Sequence, residues 1–363
     1  MKKYLLITLI LSSLFTSCKN GDWEFPDYDH TAVYFAYQTP VRTIVLGEDI
    51  FDTTLDNQRK CQIMATMGGV YSNNEDRIIS IKVDNALCNN LVYANGNSVL
   101  AMPSNYYSLS SDKITIHKGE VLGGVTVSLT DAFFADPLAL TANYVIPILM
   151  NSVQNADSIL RGVPLVSNPN RAIASDWDIV PKDYILYAVK YINEWDANYL
   201  RRGKDVINKN GSSETKVRRA QYVEKDEIIK LSTLSLNALE LPTDYTNRLG
   251  NDLNLKVKLN FDNAQKCTVS PTTTAYQLND SVRVYDITAT GNGQFVKKGD
   301  KNSWGNQDRD ALYLNYEIGY KVEIKFPISG LQSDIQTVKY TTIDTMVVRD
   351  RGIKLETFTP VLK

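Results

Sequence analysis

Trp304 stands in the run Lys301-Asn302-Ser303-Trp304-Gly305-Asn306-Gln307-Asp308-Arg309-Asp310, an indole surrounded by amides and charges. A sugar presents apolar C–H faces that lie on aromatic rings, and hydroxyls that reach amides and acids at the rim. The run therefore has the make-up of a saccharide platform, with Asn302, Asn306, Gln307 and Asp308 as its hydrogen-bonding partners. The competing reading is that Trp304 folds over the end of its domain as packing, because tryptophan is highly buried on average. Trp195, in Asn193-Glu194-Trp195-Asp196, with Tyr199 close behind, is a second aromatic candidate. For this pair the competing reading is packing beneath a helical turn. Trp177, between Asp176 and Asp178, reads as a plug at a barrel entrance. Catalytic signatures are missing: there is no His-Glu-x-x-His and no Gly-x-Ser-x-Gly. Gly291-Asn292-Gly293-Gln294-Phe295 lacks the third glycine and the following helix of a dinucleotide loop. Two carboxylates would suffice for a glycosidase, but nothing reads as the repeated β-α units of the common glycosidase barrel. The expectation is a non-enzymatic chain with no catalytic residue, no metal site and no cofactor.

Cys18 offers a different chemistry, acylation. Met1-Lys2-Lys3 is a basic start, and residues 4–14 form an apolar segment too short to cross roughly 30 Å of hydrocarbon. Leu14-Phe15-Thr16-Ser17-Cys18 closes it in a pattern that resembles the bacterial lipobox, where the cysteine is acylated and the peptide is cut before it. Several acyl chains give a stable anchor where one gives marginal binding. Lys19-Asn20-Gly21-Asp22-Trp23-Glu24 follows as a charged tether and resembles the export signal of Bacteroidetes surface lipoproteins. The expected location is the outer membrane, facing outward, with contact to the membrane through the N-terminal lipid alone.

Composition narrows the partners. Lys plus Arg is 39 and Asp plus Glu is 41 in 363 residues, so no basic face for nucleic acid is expected. Tyrosine reaches 21 and suits binding surfaces, whereas the two histidines, His30 and His117, read as surface residues. With Cys18 lipidated, Cys61, Cys88 and Cys267 remain, an odd number without CxxC spacing. Three buried thiols are the default, and a Cys61–Cys88 bridge is the alternative.

The elements that must carry these residues read as all-β. Residues 30–166 hold short β-branched runs such as Ile78-Ile79-Ser80-Ile81-Lys82-Val83 between turn clusters, which argues for an immunoglobulin-like β-sandwich. Asp84 would cap a short helix over Asn85-Ala86-Leu87-Cys88, and Pro147 suggests an edge strand. Residues 167–174, with Pro169, read as a linker, and residues 175–363 as a second domain. There, residues 253–261 alternate strictly between apolar and polar, and every even position from Leu312 to Phe326 is apolar. A straight strand of the latter length would span about 50 Å, so a bend, bulge or turn is expected at Gly319. Tyr184 to Val189 looks like a strand, and Glu194 to Leu200 like a helical turn. Long meandering strands favour an antiparallel β-barrel-like domain or a strongly coiled sandwich.

This layout resembles Bacteroidetes surface lipoproteins of glycan-utilisation loci. The N-terminal carriers are Asn105-Tyr106-Tyr107-Ser108-Leu109, residues 114–120 and Asn143-Tyr144-Val145-Ile146-Pro147-Ile148. They are similar to an uncharacterised immunoglobulin-like domain. Lys190-Tyr191-Ile192-Asn193, Tyr199-Leu200-Arg201-Arg202-Gly203 and residues 344–351 resemble a second uncharacterised domain. The resemblance implies non-catalytic glycan capture beside a SusC/SusD-type importer. It assigns no binding residue. The alternative is a structural or adhesin-type surface protein with no sugar site.

Overall fold

The computed structural model describes residues 30–243, 245–326 and 332–363, which form two β units. Cys18, Trp23 and the signal and tether region, 1–29, lie outside the described residues. The first unit is a two-sheet sandwich. Its strands are β1 (Ala32–Tyr34), β2 (Pro40–Val45), β3 (Lys60–Gly68), β4 (Arg77–Val83), β5 (Tyr107–Leu109), β6 (Lys113–Ile116), β7 (Leu122–Leu129), β8 (Tyr144–Gln154) and β9 (Tyr184–Ile192). One sheet runs β1-β3-β7-β5 and the other β2-β9-β8-β4-β6. Period-two alternation selects the inner faces: Cys61, Ile63 and Ala65 of β3 meet Ile79 and Ile81 of β4 in one core.

β9 moves the expected domain boundary. The sequence places residues 167–174 as a linker and starts the second domain at 175, yet β9 lies in the middle of a sandwich sheet. It is parallel to β2, with Ala188 opposite Val41, and antiparallel to β8, with Ala188 opposite Val145. The supposed linker is a loop of the sandwich: Arg171 pairs with the buried Asp183, and Asn170 accepts from the Trp177 indole N–H at 2.8 Å. Trp177 therefore plugs no barrel; it pairs with Pro164 at the sandwich edge. The junction falls instead near Asn193. β9 is apolar on both faces because both are covered. Ile185, Tyr187, Val189 and Tyr191 face the main core, while Tyr184, Leu186 and Ala188 face a second cluster with Cys88, Leu91 and Val99. Phe358 of the C-terminal tail packs against that second cluster.

Two smaller expectations resolve locally. Asp84 caps the Asn85–Cys88 turn, accepting from Ala86 N. Pro147 lies in a central strand, not an edge. On one side of β8 the partners are Leu100–Ala101, beside Tyr144–Val145, and then β4 from Ile148 onward. Pro147 occupies the gap between them, so its missing N–H breaks no ladder bond there, and its carbonyl accepts from Asp84 N just past β4. Cys61, Cys88 and Cys267 are buried free thiols.

The second unit is a closed antiparallel barrel. Its strands are β10 (Ala197–Lys209), β11 (Ser212–Arg218), β12 (Glu227–Ser235), β13 (Ala238–Pro242), β14 (Lys256–Phe261), β15 (Lys266–Pro271), β16 (Val282–Asp300), β17 (Arg309–Ile324) and β18 (Asp334–Asp350). The order is β10-β12-β13-β14-β15-β16-β17-β18, and β18 pairs back onto β10 from Tyr199–Val348 to Lys209–Val338. Closure leaves no free edge in the ring, and β11 extends from β10 as an attached hairpin. The alternation at 253–261 and at 312–324 faces the barrel core as expected, while Phe326 is exposed. Each such buried side chain contributes roughly 1.5–3 kcal/mol relative to exposure. β17 is continuous through Gly319, and the irregularity sits opposite it, between Tyr285 and Thr288 of β16. Residues 194–195 form a tight turn rather than a helical turn before β10.

A charge network crosses the barrel interior. Asp344 accepts from Arg201 Nε at 3.0 Å, Tyr316 OH at 3.0 Å and Arg218 Nη2 at 2.8 Å. Asp205 accepts from Arg218 and from Thr342 Oγ1, each at 2.8 Å. Buried charges demand such pairing. Gly203 makes it possible, because a Cβ there would sit 2.2 Å from Asp344 Oδ1.

Candidate functional site

The Trp304 loop connects β16 to β17 and is stitched by its own polar groups. Asp308 accepts from Asn302 N at 3.0 Å and Lys301 Nζ at 2.9 Å, and those bonds hold its carboxyl below the usual range. Asn302 and Asn306 adopt left-handed φ of 47° and 55°, a conformation asparagine tolerates better than most residues. Ser303 N donates to Gln307 O at 2.9 Å. Asp308 therefore shapes the loop first, while the Asn302, Asn306 and Gln307 side chains are exposed. Trp304 is half-buried. The Arg309 guanidinium lies 3.6 Å from its ring centroid, covering one face, and its shielded Nε1 has no partner among the described residues. The indole is thus neither a bare platform nor a full plug.

Trp195 and Tyr199 are not surface residues. Trp195 is 4% exposed, stacks on Phe261 at 4.1 Å and donates from Nε1 to Gln265. Tyr199 is fully buried and donates to Trp195 O at 2.6 Å. The sequence could not exclude exposure, because barrel closure is what encloses them. Both leave the list of candidate sugar contacts.

What the fold brings together beside the Trp304 loop is a cleft of about 530 Å³ at the junction of the two units. Its apolar lining includes Ala197, Phe295 and Val348 of the barrel and Phe51 of the sandwich, the last at 39% exposure. Lys297, Lys298, Arg309, Asp310 and Arg349 stand around it. Lys297 pairs with Glu48 across the junction at 2.8 Å, which holds the Glu48 carboxyl below its usual range. Asp49 contributes a shielded carboxylate oxygen with no hydrogen-bond partner among the described residues. Arg351 fixes the geometry underneath. Its guanidinium donates to Leu46 O and Glu48 O at 3.0 and 3.2 Å, and to Asn193 O and Asp196 O at 2.5 and 2.8 Å. Burial pushes this arginine's pKa down, with Asp196 and Asp49 offsetting part of the effect. Glu48–Phe51 carries no such signal in the sequence, and within 344–351 the sequence marks only a strand over Thr345–Val348 and a resemblance. The available signal was three charges in a row, Arg349-Asp350-Arg351, ending a long alternating strand.

Comparison with known proteins follows the same division. A family model described as a domain of unknown function, DUF5627, matches residues 194–352, which is the barrel from the junction turn to the end of β18. A model described as an N-terminal domain matches residues 28–157 in the sandwich. No curated protein matches the chain. Among solved structures, a Bacteroides ovatus protein of unknown function is 40% identical, covers 93% of this chain and 100% of its own, and has a TM-score of 0.80. A multidomain Bacteroides ovatus protein that includes DUF1735 is 14% identical over 89% of this chain and 97% of its own, with a TM-score of 0.40. An auxiliary nutrient binding protein from Bacteroides thetaiotaomicron is 13% identical over 86% of this chain and 92% of its own, at a TM-score of 0.37. On the near-complete 40% match, the chain belongs to the same family as the Bacteroides ovatus protein of unknown function, a two-domain family whose barrel is the DUF5627 domain.

Proposed function

We propose that the protein is a non-catalytic glycan-binding lipoprotein of the outer-membrane surface, anchored through Cys18 and serving capture beside a SusC/SusD-type importer. The observation that carries the sugar-binding part is the junction cleft. It has an apolar lining that includes Phe51, Trp304 backs the lining residue Arg309, and charged hydrogen-bonding groups surround it. That arrangement matches a pyranose, which has apolar faces and a polar rim. Ile50, at the tip of the same loop and fully exposed, favours a second reading in which this loop docks a protein partner.

The test is a glycan array on the protein, followed by titration of any hit against Phe51→Ala and Trp304→Ala. Each variant should lose about 1–3 kcal/mol of binding, the cost of truncating an interface aromatic. Thermal melting should change little, because both side chains are partly exposed. Undiminished binding in both variants removes the cleft from the proposal. A large loss of melting temperature in Trp304→Ala would make that residue packing.

A further inference from the structure

The outer face of the barrel carries a second feature. Asn260, Thr268, Asn292, Asn315 and Ile343 stand directly opposite one another across β14, β15, β16, β17 and β18. Beside this row, Lys266, Gln294, Tyr313 and Thr345 form a second one across β15, β16, β17 and β18. Both rows line a groove of about 790 Å³. Most of these side chains are open to solvent, Tyr313 at 37% exposure. Lys266 is the one charge in the two rows, and Asp262, whose N–H donates to Lys266 O, brings the opposite charge to the same end of the groove. Outward positions elsewhere on the barrel hold ion pairs instead, such as Lys256 with Glu240, Lys339 with Glu317 and Lys321 with Asp286.

Gly291 and Gly293 occupy inward positions of β16. A Cβ on Gly291 would lie 2.4 Å from Asn315 O, and one on Gly293 would lie 2.4 Å from Leu314 Cδ2 and 3.0 Å from Cys267 Sγ. With no Cβ at either position, the neighbouring strands pack directly against the β16 backbone beneath the groove. The same Gly-Asn-Gly-Gln run that fails as a dinucleotide loop thus lies beneath the groove and places Asn292 and Gln294 in it.

We propose that this groove binds an extended, neutral polysaccharide chain running across the strands. A neutral amide and hydroxyl surface suits a ligand that is neutral and rich in hydroxyls. Each amide offers both donors and an acceptor to adjacent hydroxyls, and a tyrosine ring offers a stacking face. Neighbouring strands lie about 4.8 Å apart, comparable with the length of one pyranose unit, so a row perpendicular to the strands meets successive sugars. Across β16, β17 and β18 an anionic polymer would meet no counter-charge, and at the β15 end Lys266 is offset by Asp262. The inference extends the glycan-binding reading to a second surface and needs no contribution from the cleft.

Affinity electrophoresis of the protein through gels containing hydroxyethylcellulose, arabinoxylan, galactomannan or amylopectin tests it, with polygalacturonate as the anionic contrast. Retardation is expected in at least one neutral gel and none with polygalacturonate. Tyr313→Ala combined with Asn292→Ala should weaken retardation by about tenfold or more, as should Asn315→Asp alone, while Phe51→Ala in the cleft leaves it unchanged. Unchanged melting of each variant confirms that the fold persists. Retardation lost in Phe51→Ala but kept in the barrel-face variants overturns the groove and leaves the cleft standing. Retardation lost only in the barrel-face variants supports the groove and leaves the cleft to its own titration. Retardation by polygalacturonate alone, or by none of the gels, overturns this inference.

Discussion

At the scale of single residues, what a position tolerates depends on what lies across from it. Gly203 is opposite both Arg218 and Asp344, and the side chains of the charge network pass over it. A methyl group would also meet Ile343 O at 2.3 Å, and backbone cannot move aside as a flexible side chain could. Gly203→Ala should therefore destabilise the protein by about 3 kcal/mol, read as a lower urea midpoint. A change below about 0.5 kcal/mol would mean that the strands can part there at no cost. The three thiols show burial acting on chemistry. Cys61, Cys88 and Cys267 are each pushed up to about 12 by desolvation, which suppresses the reactive thiolate. A thiol reagent at pH 8 should label none of them until denaturant is added. Rapid labelling of the native protein would contradict that burial.

At the scale of elements, β10, β11, β17 and β18 are joined by charges as well as by ladders. Asp344→Ala would leave Arg201 and Arg218 without their shared carboxylate, at a cost of about 3–5 kcal/mol. Asp205 adds a pH dependence. Burial pushes its carboxyl up, but hydrogen bonds from Arg218 and Thr342 and the Arg218 charge outweigh this and hold it below its ordinary value. A depressed folded-state pKa contributes stability above the unfolded value of about 3.9, and that stability is lost as pH falls through the folded value. Melting temperature should thus drop below about pH 4 in the native protein, with a shallower drop in Asp205→Asn. Identical acid profiles would remove Asp205 from the account. The periodicity of β14 and β17 was readable because one face of each strand is buried and the other is wet. β9 gave no such pattern, since from Tyr184 to Val189 both of its faces are covered and both are apolar.

At the scale of the whole molecule, the two units are not joined by a single polar linker. After β18 the chain returns to the sandwich, where Glu356–Thr357 pairs with β2 and Val361–Leu362 pairs with Leu91–Val92. Lys190 binds Glu356 at 2.8 Å. Truncation after Gly352 should lower the melting temperature of the sandwich by removing these strands and uncovering the Phe358 side of its second core. Residues 194–352 expressed alone should still unfold cooperatively, because the ring closes within them. A disordered fragment would show that the barrel depends on the sandwich. Arg351 couples the units through four carbonyls, so Arg351→Ala should split calorimetric unfolding into two transitions. A single unchanged transition would show that the tail strands alone provide the coupling.

The sequence by itself determined the all-β class, the alternating strands of the barrel, the cap at Asp84 and the polar make-up of the loop around Trp304. These follow from local rules, in which side-chain period and turn chemistry act within a few residues. Tertiary structure alone decided the rest. It enclosed Trp195 and Tyr199 when β18 closed onto β10, and it assigned β9 to the sandwich through pairing with β2, as in Ala188 opposite Val41. It also raised the cleft and the outer groove from residues far apart in the chain. Pairing across such distances is set by which surfaces can be covered at once, and that information is spread over the whole chain rather than written in any one segment.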